Sequence, residues 1–103
     1  MPRSLDPYIA ILEGLLAGTI GQAEFRTRTI QQYDRVDAGV RWRDEWGEDV
    51  SAALDQMDGD AEVIYPEAPG HSYISHEELL QSCRWNLLRL RDAQRRAGGG
   101  VSP

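Results

Sequence analysis

Ile74-Ser75-His76-Glu77-Glu78-Leu79 is the stretch on which the fold turns. Ser75 stands at an N-cap, and Glu78 follows three residues later, where its carboxylate reaches back to the N–H of the cap. Ile74 and Leu79 occupy the two positions of a hydrophobic staple. From there Leu79, Leu80, Cys83, Leu87 and Leu90 recur at helical spacing, which predicts an amphipathic helix. Arg89, Arg91, Arg95 and Arg96 crowd its C-terminal end, the sign that the helix dipole favours there. Gly98-Gly99-Gly100 closes it, and residues 98–103 are expected to form a flexible tail.

The same grammar recurs upstream. Ile20-Gly21-Gln22-Ala23-Glu24-Phe25 puts Gly21 at an N-cap, Glu24 at the capping-box position, and Ile20 with Phe25 as the staple. Phe25, Thr29, Tyr33 and Val36 mark the buried face of that helix, and Gly39 is its stop. Before it, Asp6 as N-cap and Pro7 at the first helical position open another helix. Its stripe is Tyr8, Ile9, Leu12, Leu15 and Leu16, and Gly18 closes it. Trp42, Trp46, Val50, Ala53, Leu54 and Met57 predict a helix over 43–57, broken or bent at Asp58-Gly59-Asp60. The stretch from Ala61 to Tyr73 holds Pro66, Pro69 and Gly70 and reads as a loop; Val63-Ile64-Tyr65 is the only strand-like run. Four amphipathic helices joined by short links predict an all-α protein, an antiparallel four-helix bundle, with residues 1–97 as one domain. The chain's 103 residues suit a single core.

Charge sharpens this picture. Eleven basic residues, all Arg, stand against 17 acidic ones, for a net −6. That argues against a nucleic-acid-binding domain, which needs a basic face to neutralise phosphates. The distribution is uneven. Residues 1–43 carry a net +1 and residues 79–103 a net +4, whereas residues 44–78 hold eleven acids and no basic residue. Such a block is either a solvated face or a docking surface for a strongly basic partner. No apolar run approaches the roughly 20 residues that span a bilayer. The opening MPRSLDPY lacks the layout of a signal peptide, so a cytoplasmic location without membrane attachment is expected.

Candidate chemistry is sparse. Cys83, the single cysteine, lies on an apolar stripe, where a thiol is normally inert packing. His71 and His76 match no metal-ligand motif. No nucleophile elbow, P-loop or dinucleotide fingerprint is present. No catalytic residue, metal or cofactor is therefore expected. Trp46 fits the core stripe, Trp42 caps it, and Trp85 falls on the opposite side of its helix, where an exposed Trp suits a protein interface.

The order of these pieces resembles the colicin D-type immunity proteins, a family of bacterial self-protective proteins. The resemblance rests on Leu15-Leu16-Ala17-Gly18-Thr19-Ile20 running into Glu24-Phe25. It continues in the acidic stretch from Ala52 to Glu62 with Tyr65-Pro66 just after, and in Ile74-Ser75-His76-Glu77-Glu78-Leu79. It spans residues 8–90. Gly21 departs from it, standing where the family has a hydroxyl cap. The resemblance implies a four-helix bundle that binds a cognate toxin, typically a tRNA-cutting nuclease domain, and covers its active site. It also implies that acids of the third helix and following turn face the toxin's basic cleft. The matching positions are Asp55, Asp58, Asp60 and Glu62, and Glu48 and Asp49 of the same acidic block complete the candidate site. The expected partner is thus a basic nuclease toxin domain, bound one to one by a monomer with no direct nucleic-acid contact. The alternative is a non-enzymatic adaptor or antitoxin-like bundle that docks another basic protein on its acidic face.

Overall fold

The computed structural model describes residues 2–64 and 74–99. All regular structure among them is helical: α1 Asp6–Ala17, α2 Gln22–Ile30, α3 Trp42–Trp46, α4 Glu48–Glu62 and α5 His76–Gly99. A π-helical turn over Gln31–Val36 extends α2. α1 packs on α2 and α5, α4 packs on α2 and α5, and the short α3 leans on α4. Leu12, Phe25, Leu54, Met57, Leu79 and Leu90 are among the side chains these helices bury completely. No described helix is long and apolar enough to cross a membrane.

The local signals act as their chemistry requires at the start of α5. The Glu78 N–H donates to Ser75 Oγ at 3.1 Å, and the Ser75 N–H donates to Glu78 Oε1 at 3.4 Å, a complete capping box. Leu79, Cys83, Leu87 and Leu90 are buried as their spacing predicts. Gly18 closes α1 in the left-handed region (φ 79°). The start of α1 differs by one residue. Leu5 is the N-cap and Asp6 is already helical; the Asp6 carboxylate is committed to Gln94 Nε2 of α5, at 2.8 Å. Glu24 makes no capping box either. Gly21 offers no side chain to reciprocate, and the Glu24 carboxylate pairs with Arg28 one turn on.

Three larger corrections concern helix boundaries and faces. The helix predicted over 43–57 is two helices, separated at Gly47. Gly47 has φ 98° and ψ 175°, a conformation essentially restricted to glycine. Conversely, Asp58-Gly59-Asp60 neither breaks nor bends the chain away: α4 runs through it to Glu62. An interior glycine costs a helix only about 1 kcal/mol. Ala61 and Ile64, both buried just beyond, outweigh that by their packing. The third correction is Val36, predicted on the buried face and found 56% exposed. The π turn adds a residue to the helical repeat, so the inward position passes from Val36 to Asp37, which is 3% exposed. Within the predicted loop, Pro66, Pro69, Gly70 and His71 lie outside the described residues.

Asp37 is held by three donors. Tyr8 Oη donates to its Oδ2 at 2.7 Å and Gln32 Nε2 at 2.9 Å, while Arg3 Nε pairs with Oδ1 at 3.1 Å. The Tyr8 ring stands edge-on to Trp42, centroids 5.5 Å apart, and to Tyr33 at 6.4 Å. Arg3 is itself fixed by the Trp46 indole N–H on its carbonyl and by Glu45 on its amide, both at 2.7 Å. Removing the carboxylate strands the buried Tyr8 hydroxyl and frees Arg3. Asp37→Ala is therefore expected to lower the unfolding free energy by about 3 kcal/mol, read from urea denaturation. Gly47→Ala, which forces a Cβ into the glycine region, is expected to cost about 1–3 kcal/mol in the same assay.

Candidate functional site: an acidic cluster between α4 and the π turn

α4 carries six candidate acids, and its geometry sorts them onto two flanks. At 100° per residue, Glu48, Asp55, Asp58 and Glu62 fall within an arc of about 80°. Asp49 and Asp60 lie on the other side of the buried stripe of Val50, Ala53, Leu54, Met57 and Ala61. Asp55, Asp58 and Glu62 look toward the π turn, and the second flank looks toward α5. The six therefore do not form one patch.

On the first flank, Tyr33 Oη donates to Asp55 Oδ1. Asp34, the next residue on the π turn, brings its carboxylate to Asp58 and Glu62, so that oxygens of all three lie within 4.8 Å of one another. Asp34 and Glu62 are exposed, whereas Asp58 is half-buried and its Oδ1 is enclosed without a hydrogen-bond partner. Burial and the neighbouring charges of Asp34 and Glu62 push the Asp58 carboxyl up to about 7. The Tyr33 hydroxyl is likewise pushed well above its ordinary value, by burial first and then by its bond to Asp55. Among the described residues, none of Asp34, Asp55, Asp58 and Glu62 forms an ion pair with an arginine.

On the second flank, Ser82 Oγ donates to Asp60 Oδ2. Burial raises the Asp60 carboxyl and this bond moderates the rise. Asp60 also adds to the burial that pushes the Cys83 thiol up to about 12, as expected of an inert packing cysteine. Asp60 is thus a bridge from α4 to α5. Glu48 and Asp49 stand in the first turn of α4, where acids complement the helix dipole, and Arg43 lies 3.9 Å from Glu48. Both border a shallow groove against Ala93 and Arg96 at the far end of α5.

Asp34 escaped the sequence reading because it lies in the near-neutral first 43 residues, and Tyr33 was read there only as a buried-face residue. The available signal was their place one turn beyond Thr29 on the face of α2 that meets α4. Three carboxylates are donors of the type hard cations accept, yet at one oxygen each they supply three of the six to eight oxygens such ions take. The chemistry this cluster offers on its own is the capture of a cationic side chain. His76, the described histidine, shares a hydrogen bond with Gln22 Nε2 at 2.8 Å and is not part of this cluster. Trp85 is exposed, as its position on α5 predicts, while Trp42 is buried and Trp46 partly so.

Comparison with family models, curated proteins and solved structures finds no match to this chain.

The titration of Asp58 has a defined sign. Unfolded, it ionises near 3.8; folded, at about 7, so the native chain holds an extra proton between those values. Its contribution to stability therefore falls as pH rises from about 4 to about 7. Asp58→Asn removes this dependence. The unfolding midpoint of the variant minus that of the wild type is expected to grow from pH 5 to pH 8; a gap independent of pH would contradict the assignment.

Proposed function

We propose that this chain is an immunity protein that binds a basic nuclease toxin domain and occludes its active site with the acidic flank of α4. The observation that carries the reading is the Asp34–Asp58–Glu62 group. Three carboxylates from two elements are held together without an arginine of their own, at a cost visible in the raised Asp58. A guanidinium or ammonium group from a partner relieves that repulsion and supplies the missing hydrogen bonds. Nuclease clefts present such cations to hold phosphates. An acidic surface fixed on a packed helix meets them with little ordering cost.

In this reading the four long helices act as the antiparallel four-helix bundle of the resembled family, with α3 as a short elaboration. The protein works in the cytoplasm without catalysing a reaction and without a cofactor. Asp55, Asp58 and Glu62 contact the toxin together with Asp34. Asp60 is assigned to the α4–α5 joint, and Glu48 and Asp49 to the rim. The raised Asp58 adds a signature, because a bound cation expels its proton. Affinity then rises with pH between about 6 and 8.

The test is rescue of cells expressing the nuclease-like product of the adjacent gene, together with binding measured in vitro. Asp55→Arg with Glu62→Arg, both exposed, is expected to abolish rescue and weaken binding about 100-fold or more. Rescue that survives the double variant overturns the site. A basic but non-nuclease partner captured on the same face would instead establish the adaptor reading.

A further inference from the structure

α5 has a second face that the bundle does not use. Its buried stripe packs against α1 and α4, while Trp85 and Leu88 on the other side are 57% and 65% exposed. Large apolar side chains paired in this way on an outer helix face mark an interaction surface. They do not stand alone. Glu78, Gln81, Trp85, Leu88, Asp92 and Arg95 follow one another at steps of three and four, the spacing of a coiled-coil seam.

This seam is complementary to itself when reversed. Turned end for end about the midpoint of Trp85 and Leu88, Trp85 faces Leu88, Gln81 faces Asp92, and Glu78 faces Arg95. On the margin Glu77 faces Arg96. Apolar meets apolar, an amide meets a carboxylate, and each terminal acid meets an arginine, in addition to the contacts these groups make within their own chain, Glu78 with Ser75 and Arg95 and Arg96 with Asp92. A parallel pairing instead sets Asp92 against Asp92 and Arg95 against Arg95. The one like-charge encounter in the reversed pairing is Arg84 with Arg89. The Arg89 guanidinium already lies over the Trp85 ring, 5.6 Å from its centroid, which holds it along the apolar centre.

We propose that two copies of this chain associate through the outer face of α5, antiparallel and two-fold symmetric about the Trp85–Leu88 midpoint. The interface is isologous and closes at two copies. It replaces the monomer expected from sequence. The acidic flank of α4 that faces the π turn lies away from α5, so each copy keeps its carboxylate cluster free. This inference is independent of the immunity reading. The pairing resembles a short, mostly polar contact with one apolar centre, and so belongs among weak interfaces.

Sedimentation equilibrium of the full chain from about 1 µM to about 1 mM is expected to move from the mass of one chain to that of two. Trp85→Ala with Leu88→Ala is expected to stay monomeric over the same range. Because both side chains are exposed, its helical signal and unfolding midpoint should match the wild type, which separates lost association from lost folding. Orientation is read by disulfide trapping. Gln81→Cys and Asp92→Cys proteins should cross-link when mixed and not when each is oxidised alone; the native Cys83 is buried and does not compete. A wild type that remains monomeric overturns the proposal. So does a dimer that survives the double alanine change, or cross-linking of either cysteine variant with itself.

Discussion

One buried carboxylate organises the half of the molecule that sequence patterning describes least well. Asp37 lies inside at the end of the π turn and collects Tyr8 from α1, Gln32 from its own turn and Arg3 from the N-terminal segment. Buried ionised groups are costly unless paired and hydrogen-bonded. Asp37 meets both conditions only when α1, the π turn and residues 3–5 are all in place. It thus couples α1, the π turn and the N-terminal segment through one side chain. Through Arg3 the coupling reaches Trp46 and Glu45 of α3. The Tyr8 ring, directed by its hydroxyl bond to Asp37, becomes the aromatic wall against which Trp42 and Tyr33 pack.

The candidate site follows from the same π turn. The extra residue that carries Asp37 inward also sets Tyr33 and Asp34 beside α4. There they meet Asp55, Asp58 and Glu62. The acidic cluster is therefore a by-product of how the second helix ends. Its like charges are a persistent liability to the fold, and the raised Asp58 is the local sign of it. The rest of α4 shows how such charge is managed elsewhere: Asp60, on the opposite flank, is satisfied by Ser82, and Glu48 and Asp49 sit in the first turn, where the helix dipole favours them.

α5 joins the two halves of the molecule. One face closes the core against α1 and α4, and ties to Glu13 and Asp6 of α1 through Arg91 and Gln94. The other presents Trp85 and Leu88 between an acidic beginning and a basic end. That gradient first answers the helix dipole, and it is also what makes the helix complementary to a reversed copy of itself.

How much was legible depends on the range of the interactions concerned. Helical content, the apolar stripes of α1, α4 and α5, the capping box at Ser75 and Glu78, and the exposed Trp85 were legible because each depends on residues no more than about four apart. The acidic block of residues 44–78 was legible as composition, and the three-residue spacing of Asp55 and Asp58 put them on one helix face, where the structure has them with Glu62. Asp49 and Asp60 were not separable from them, because composition does not say which flank of a helix a neighbour occupies. Asp34 was hidden by its near-neutral surroundings. The sequence by itself determined an all-helical chain with an unbalanced acidic segment. The tertiary structure alone decided that Gly47 divides a helix while Gly59 does not. It alone turned Val36 outward and Asp37 inward, and brought Asp34 to Asp58. A glycine or an extra helical residue shifts local energy by about 1 kcal/mol, and packing of buried neighbours such as Ala61, Ile64 and Tyr8 decides the outcome.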